Sequence, residues 1–295
     1  MISIVTAYYN RKKLLIRTLG GLKKYEGKID FEFIAVDDAS EEEERLEDLQ
    51  ELYPFLRILR INKSEKWYMN PCIPFNRGFE IAKGDKIILQ NPECFHFDDI
   101  LPYVEKNLKN NHYLSFGCFS IDKTNTDDDK LFHDRNNINK LISDSQYIIE
   151  VDGGLGWYNH SKYRPCSYHF CTAILAKDLV DLGGFDPRFA LGHGFDDDDF
   201  IFRIRLKGMK IKYVDDKIVL HQNHYIKPID VDEQKVKYLN EKAERNRIIF
   251  ESITFRTNIS RANYLQINNF KPNYSLSIND FIKKIKFKLK RYINN

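Results

Sequence analysis

Over residues 1–100 this chain alternates short apolar runs with longer amphipathic stretches, and that rhythm restricts the fold more than any single residue does. Ile2–Val5, Phe31–Val36, Leu56–Ile61 and Lys86–Leu89 read as buried strands. Lys12–Lys24, Glu41–Leu52 and Pro74–Lys83 read as the helices between them, the second with acidic residues in its first turn behind Ser40 as N-cap. Strands and helices that alternate at this spacing build a mostly parallel α/β sheet with helices on both faces. Ligands of such sheets sit at the carboxyl ends of the strands. Polar residues just after each strand are therefore the first place to look for chemistry.

From about Asp122 to Pro165 the rhythm lapses into a stretch rich in Asn, Asp, Lys and Tyr, which reads as long loops over the sheet. Regular structure returns from Phe170 to Leu220. An apolar run comes first, then a helix near Lys177–Leu182, a Gly/Asp-rich turn, a helix around Asp199–Lys207, and strands Lys210–Val214 and Lys217–Leu220. The division that follows is a domain over 1–224 and a helical, increasingly basic extension over 225–295.

Composition narrows the partners. With 42% hydrophobic residues the chain can bury a full core, and a net charge of +3 is too small for chain-wide nucleic-acid binding. The five cysteines are odd in number and form no CxxC pair, which argues against a zinc cluster or a disulfide scaffold. Met1 leads straight into Ile2–Val5, and no window approaches the length of an apolar membrane span. The expectation is a cytoplasmic protein with neither signal peptide nor transmembrane helix.

Four constellations carry chemistry. Val36-Asp37-Asp38-Ala39-Ser40 ends the second strand, where its carboxylates can accept from a uracil imide N–H or a ribose hydroxyl; a plain helix cap reads equally well. Leu89-Gln90-Asn91-Pro92-Glu93 ends the fourth strand, and Glu93 is its one charged candidate for a divalent cation bridging phosphates. Locally, an ordinary Asn-Pro turn explains it as well. Gly183-Gly184-Phe185-Asp186 and Gly192-His193-Gly194-Phe195 lead into four consecutive aspartates, Asp196–Asp199. Such a run repels itself, sits near the positive end of a helix dipole and offers a general base for a hydroxyl; it lacks the ligand spacing of an EF-hand. Val219-Leu220-His221-Gln222-Asn223-His224-Tyr225 places His221 at a strand end, where it can complete a metal shell.

Together these segments resemble the family 2 glycosyltransferases of GT-A fold, in an ordered match from residue 2 to about residue 224. Val5-Thr6-Ala7-Tyr8-Tyr9-Asn10-Arg11 looks like the family's first-strand nucleotide-binding turn, which implies donor contacts from Thr6, Ala7, Tyr8, Asn10 and Arg11. Val36–Ser40 is similar to its Asp-Asp-x-Ser element, making Asp38 the uracil contact and Asp37 a supporting one. Phe75-Asn76-Arg77-Gly78 and Ala82-Lys83-Gly84-Asp85 resemble the helix leading to the metal strand, with Asn76 and Asn91 on the donor side. The Asp-rich turn resembles galactosyltransferase-like members, which implies Asp197 as catalytic base and Asp196 on the acceptor. The family's Asp-x-Asp motif appears as Asn91-Pro92-Glu93, so the implied metal, Mn²⁺ or Mg²⁺, falls to Glu93, His221 and the diphosphate.

The resemblance implies direct, inverting transfer from a nucleotide sugar, a UDP-hexose or UDP-N-acetylhexosamine, to a hydroxyl of a glycan or lipid-linked glycan. Residues 1–100 would be the nucleotide-binding half and 101–224 the acceptor-binding and catalytic half. Trp157 and Tyr158, behind Gly153-Gly154-Leu155-Gly156, suit a loop that stacks on an acceptor sugar, with Trp67-Tyr68 as a weaker candidate; a Trp that plugs the core is the alternative. The tail from Phe281 to Ile293 is amphipathic and basic, as expected of a helix lying on the inner membrane face, or of one packed on its own domain. A sugar nucleotidyltransferase is disfavoured because Thr6–Asn10 lacks glycine. A catalytically degenerate sugar-binding domain stays open.

Overall fold

The structure, a computed structural model, describes residues 1–150, 153–224, 233–256 and 258–262. In chain order the elements are β1 (Ile2–Tyr8), α1 (Lys12–Leu22), β2 (Phe31–Asp38), β3 (Leu56–Ile61), α2 (Cys72–Ile81), β4 (Lys86–Gln90), β5 (Cys94–His96) and α3 (Ile100–Asn107). There follow β6 (His112–Ser120), α4 (Lys123–Asp127), α5 (Arg135–Asp144), β7 (Gly156–Asn159), β8 (Cys171–Leu175), α6 (Ala176–Leu182), α7 (Asp196–Lys207), β9 (Lys210–His221) and α8 (Glu233–Arg256). The strands form one sheet in the order β3-β2-β1-β4-β8-β6-β9-β5, with β7 paired to β6.

Strands β3, β2, β1 and β4 run parallel, the half that the alternating sequence foretells. β8 turns antiparallel between β4 and β6, and β9 is parallel to β6. The buried runs of β1 and β2 face two ways because neighbouring side chains point to opposite sides. Ile4, Tyr8 and Phe33 pack with Leu15, Leu19 and Leu22 of α1 on one face. Val5, Ile34 and Val36 pack with Phe75, Leu179 and Phe200 from α2, α6 and α7 on the other. α2 lies close to the sheet at Gly78, where a Cβ would meet Val5 Cγ1 at 2.4 Å.

Three expected elements differ. Glu41–Leu52 is not a helix but two short 3-10 turns, Glu42–Glu44 and Glu47–Leu49, with Arg45 extended between them (ψ 153°). Successive acids here are drawn to partners on different elements: Glu41 to Lys63, Glu47 to Arg60 and Asp48 to Lys12. Those ties oppose a single helical axis, and four adjacent glutamates would repel along one. The stretch 122–165 holds α4, α5 and β7 rather than loops alone. Lys210–Val214 and Lys217–Leu220 are one strand, and the expected break is a register shift where Phe116 faces Val214 but Gly117 faces Ile218.

α8 packs Phe250 and Ile253 against Phe189 and Phe202. Its Asn246 donates to the carbonyls of Phe189 (3.0 Å) and Gly194 (2.8 Å). Gly192 is needed there because a Cβ would come within 2.0 Å of Asn246 Oδ1. No helix of the described residues is long and apolar enough to cross a membrane. Tyr225 and the basic tail from Phe281 to Ile293 lie outside the described residues.

Candidate active site

Glu93 is the centre of one polar cluster. The turn after β4 brings it to the start of β5, whose Cys94 pairs with His221 of β9. Its carboxylate has no exposed surface; Oε2 lies 2.9 Å from Arg11 Nη1, and Oε1 lies 3.1 Å from both His221 Nε2 and His224 Nε2. Burial alone would raise the Glu93 pKa, but Arg11, His224 and His221 outweigh it and hold the carboxyl well below its ordinary range. Burial pushes the His221 imidazole down, against the pull of Glu93. A buried carboxylate beside two imidazoles, with ligand atoms all within 4.8 Å of one another, is a set of donors fit for a divalent cation. His224 joins a site for which the sequence pointed only to His221; the i, i+3 spacing of the two was the available signal. Asn91 heads the same turn, half-buried, with its carbonyl accepting from the Cys94 N–H.

The carboxyl ends of β1 and β2, with the turns that follow them, form the neighbouring wall. Thr6 is buried and Ala7 half-buried, paired with Ala35 and Val36. Tyr8 is buried too, and its hydroxyl donates to the Glu44 carbonyl (2.6 Å). Asn10, in the left-handed region (φ 48°), accepts from the Glu41 N–H through Oδ1, and its own N–H donates to Ser40 Oγ. It thus ties the two turns together. Asp37 is fully buried, accepting from the Ser40 N–H and paired with Arg60 at 2.7 Å. Asp38 keeps exposed surface and accepts from Tyr68 Oη and Lys66 Nζ, both at 2.7 Å. Tyr68 therefore serves Asp38 rather than standing free, while Trp67 beside it is 61% exposed.

A second cluster forms where α7 begins. The helix starts at Asp196, earlier than expected, because Phe195 adopts a left-handed conformation (φ 65°) and turns all four aspartates into the first turn. Their partners separate them. Asp199 pairs with buried Arg203 (2.7 Å), and Asp198 accepts from Tyr168 Oη (2.7 Å). Asp197 Oδ1 accepts from the backbone N–H of His169 (3.0 Å) and contacts its ring Nδ1. Asp196, buried, accepts from Asn70 Nδ2 at 2.9 Å. Burial first, then the charge of Asp197, pushes the Asp196 pKa up to about 6. His169 was missed in the sequence, where a lone histidine before an apolar run carries no pattern.

Two expected residues stand apart. The Asn76 amide is spent on the turn before α7, donating to the Phe185 carbonyl and accepting from its N–H, both at 2.8 Å. Gly184 passes tightly over it at φ 67°. Trp157 corrects the expectation of an exposed sugar-stacking ring. Residues 156–159 are a strand, and the ring is 3% exposed, packed on Phe119 with Nε1 donating to the Gln146 carbonyl. The glycine-rich run is followed by a partner for β6, so its aromatic residues fill core. Tyr158 is buried as well, its ring 4.5 Å from His221 and stacked on Phe170, behind the Glu93 cluster.

Residues 3–165, more than half of the chain, match the model of glycosyl transferase family 2. The chain belongs to that family. Among solved structures it is similar to Staphylococcus aureus TarS residues 1–349, at 14% identity and TM-score 0.50, covering 87% of this chain and 75% of that one. It is also similar to the mannosyltransferase PcManGT from Pyrobaculum calidifontis, solved with GDP-Man and Mn²⁺, at 14% identity, TM-score 0.49 and the same coverages. The fold is of the GT-A kind, and the protein is a glycosyltransferase. The family match contains the turns at Thr6–Arg11, Asp37–Ser40 and Asn91–Glu93. It ends before His169, Asp196, Asp197, His221 and His224, so in this transferase their association rests on geometry.

Proposed function

We propose that this transferase moves a sugar from a nucleotide-sugar donor, a UDP-hexose or UDP-N-acetylhexosamine, to a hydroxyl of a glycan or lipid-linked glycan with inversion at the anomeric carbon. The observation that carries the reading is that two polar clusters lie beside the ends of two adjacent strands. Glu93, His221 and His224 form the first, and His169, Asp196 and Asp197 the second. Glu93 follows the end of β4 and His169 precedes β8, two adjacent strands joined there by the Asn91 N–H on the Phe170 carbonyl (3.2 Å).

The first cluster would hold the cation, and its two imidazoles favour a transition ion of the Mn²⁺ type over Mg²⁺, which takes oxygen ligands. When bound, that ion supplies positive charge to the departing nucleoside diphosphate. Arg11, one-third exposed beside Glu93, adds a fixed cation at the same place. Asp38, braced by Tyr68 and Lys66, accepts from the uracil imide, with Asp37 and Asn10 holding its turn and Thr6, Ala7, Tyr8 and Asn91 assigned to the rest of the donor site. Asp197, 23% exposed at the start of α7, takes the acceptor hydroxyl proton as the oxygen attacks. Asp196, next to it, is assigned to the acceptor. Residues 1–224 carry these parts, and 225–295 form an extension whose α8 braces the loop before α7.

Thermal shift against UDP, GDP, CMP and TDP, each with and without Mn²⁺, tests the donor site. A ligand at a hundred times its Kd adds about 2.7 kcal/mol. Stabilisation by UDP that needs Mn²⁺ supports the reading; no response to any nucleotide contradicts it.

A further inference from the structure

Asp197 enters its cluster with one oxygen already committed. Oδ1 accepts from the His169 backbone N–H at 3.0 Å and contacts the same residue's ring Nδ1. One residue thus grips one oxygen twice. The ring that does so is itself fixed, because His169 is 7% exposed and lies edge-on to Phe75 (4.7 Å) of α2 and to Phe185 (5.2 Å) of the turn before α7. Phe185 is held by Asn76 through both of its backbone polar groups. A rigid chain therefore runs from Asn76 through Phe185 and His169 to the carboxylate. His169 belongs to the segment entering β8, so this brace comes from the sheet rather than from the helix that carries Asp197.

We propose that His169 is a positioning residue for Asp197: its two N–H groups pin Oδ1, fix the side-chain rotamer and leave Oδ2 as the oxygen offered to the acceptor. The inference rests on Asp197 being the base. In the step served, the acceptor O–H breaks and its proton passes to Oδ2. The hydroxyl oxygen forms the bond to the anomeric carbon, and the electron pair of the carbon–phosphate-oxygen bond leaves with the nucleoside diphosphate. His169 neither gains nor loses a proton. What it supplies is geometry, and a misplacement of about 1 Å at a reacting group can cost on the order of 100-fold in rate.

Among the described residues, the carboxylates that act on the ring are Asp197 and Asp196 on α7 and, from the first cluster, Glu93; burial opposes the charged imidazole, yet these carboxylates raise its pKa above the ordinary value. An imidazole whose Nδ1–H is held by a carboxylate is fixed in tautomer and orientation. Asn is the conservative replacement, since its amide N–H can reach the place of Nδ1–H, whereas Phe keeps the ring packing and loses the donor.

The test reads UDP release from UDP-glucose and UDP-N-acetylglucosamine in His169→Phe, His169→Asn and Asp197→Asn, with the UDP-induced thermal shift as a folding control. Expected is a 10- to 100-fold loss of kcat in His169→Phe at unchanged donor KM, and recovery to within about threefold in His169→Asn. A His169→Phe enzyme with wild-type kcat, or an Asn variant as impaired as the Phe one, overturns the proposal. Wild-type kcat in Asp197→Asn instead removes the base assignment beneath it. A second measurement needs neither turnover nor a variant at 169: histidine ¹⁵N spectra of the whole protein across pH. The Nδ1-protonated tautomer is expected in the wild type, with a titration midpoint that falls in Asp197→Asn. A midpoint indifferent to that substitution overturns the pairing.

Discussion

Asp196→Asn is expected to make the protein more stable at neutral pH while impairing it as an enzyme. Asp196 is buried, one oxygen accepts from Asn70, and Oδ2 has no hydrogen-bond partner among the described residues. Its pKa stands at about 6 in the folded protein against 3.8 for an ordinary aspartate. A raised pKa means that the folded state binds the proton more tightly than the unfolded chain does. The stability this group contributes is therefore fully present below about pH 4 and is lost as pH rises through about 6. A gap of about two units at 1.36 kcal/mol per unit is about 3 kcal/mol. Asn cannot ionise, keeps an oxygen for Asn70 and escapes the penalty. The stability difference between variant and wild type, from urea unfolding at pH 4, 5, 6 and 7, should grow from near zero to about 3 kcal/mol, a midpoint shift on the order of 6 °C in a thermal scan. Using the difference cancels the carboxylates common to both proteins. A difference that stays flat from pH 4 to 7, or a variant less stable at pH 7, would refute the electrostatic reading of the cluster.

Other perturbations separate support from chemistry. Glu93→Gln should abolish the Mn²⁺-dependent thermal shift, about 2.7 kcal/mol in the wild type at a hundred times Kd; a shift of wild-type size would show the ion bound elsewhere. Trp157→Ala should cost about 3–5 kcal/mol in denaturant titration, as for a core ring, and leave UDP affinity of the folded fraction intact. An unchanged stability would return Trp157 to the surface. Gly192→Ala should destabilise by about 1–3 kcal/mol through the clash with Asn246, and the cost should shrink in an Asn246→Ala background; additive effects would dissociate α8 from that loop.

The parallel half of the sheet was legible because its strands are short runs dominated by apolar residues and spaced by amphipathic stretches, a local signal. The Glu41–Leu52 stretch misled for the opposite reason. Its helical pattern is local, but its acids answer to Lys12, Arg60 and Lys63 on other elements. In the site, Glu93 and His221 were legible as polar residues at strand ends, and the structure brings them to 3.1 Å. The four aspartates were legible as a group. Which of them faces a site was not, since that depends on Phe195 turning the chain and on Arg203, Tyr168, Asn70 and His169 each claiming one acid. Lys66 and Tyr68 escaped notice as braces of Asp38 because that pairing exists only after β2 and the turn before α2 meet.

The most direct test of the central claim is release of nucleoside diphosphate from UDP-glucose, UDP-galactose, UDP-N-acetylglucosamine and GDP-mannose by the wild type and Asp197→Asn, with Mn²⁺ present. The account predicts turnover of a UDP-sugar by the wild type and at least about 100-fold less by a variant that still binds UDP. Turnover unchanged by Asp197→Asn, or no UDP-sugar consumed by the folded wild type, would contradict it.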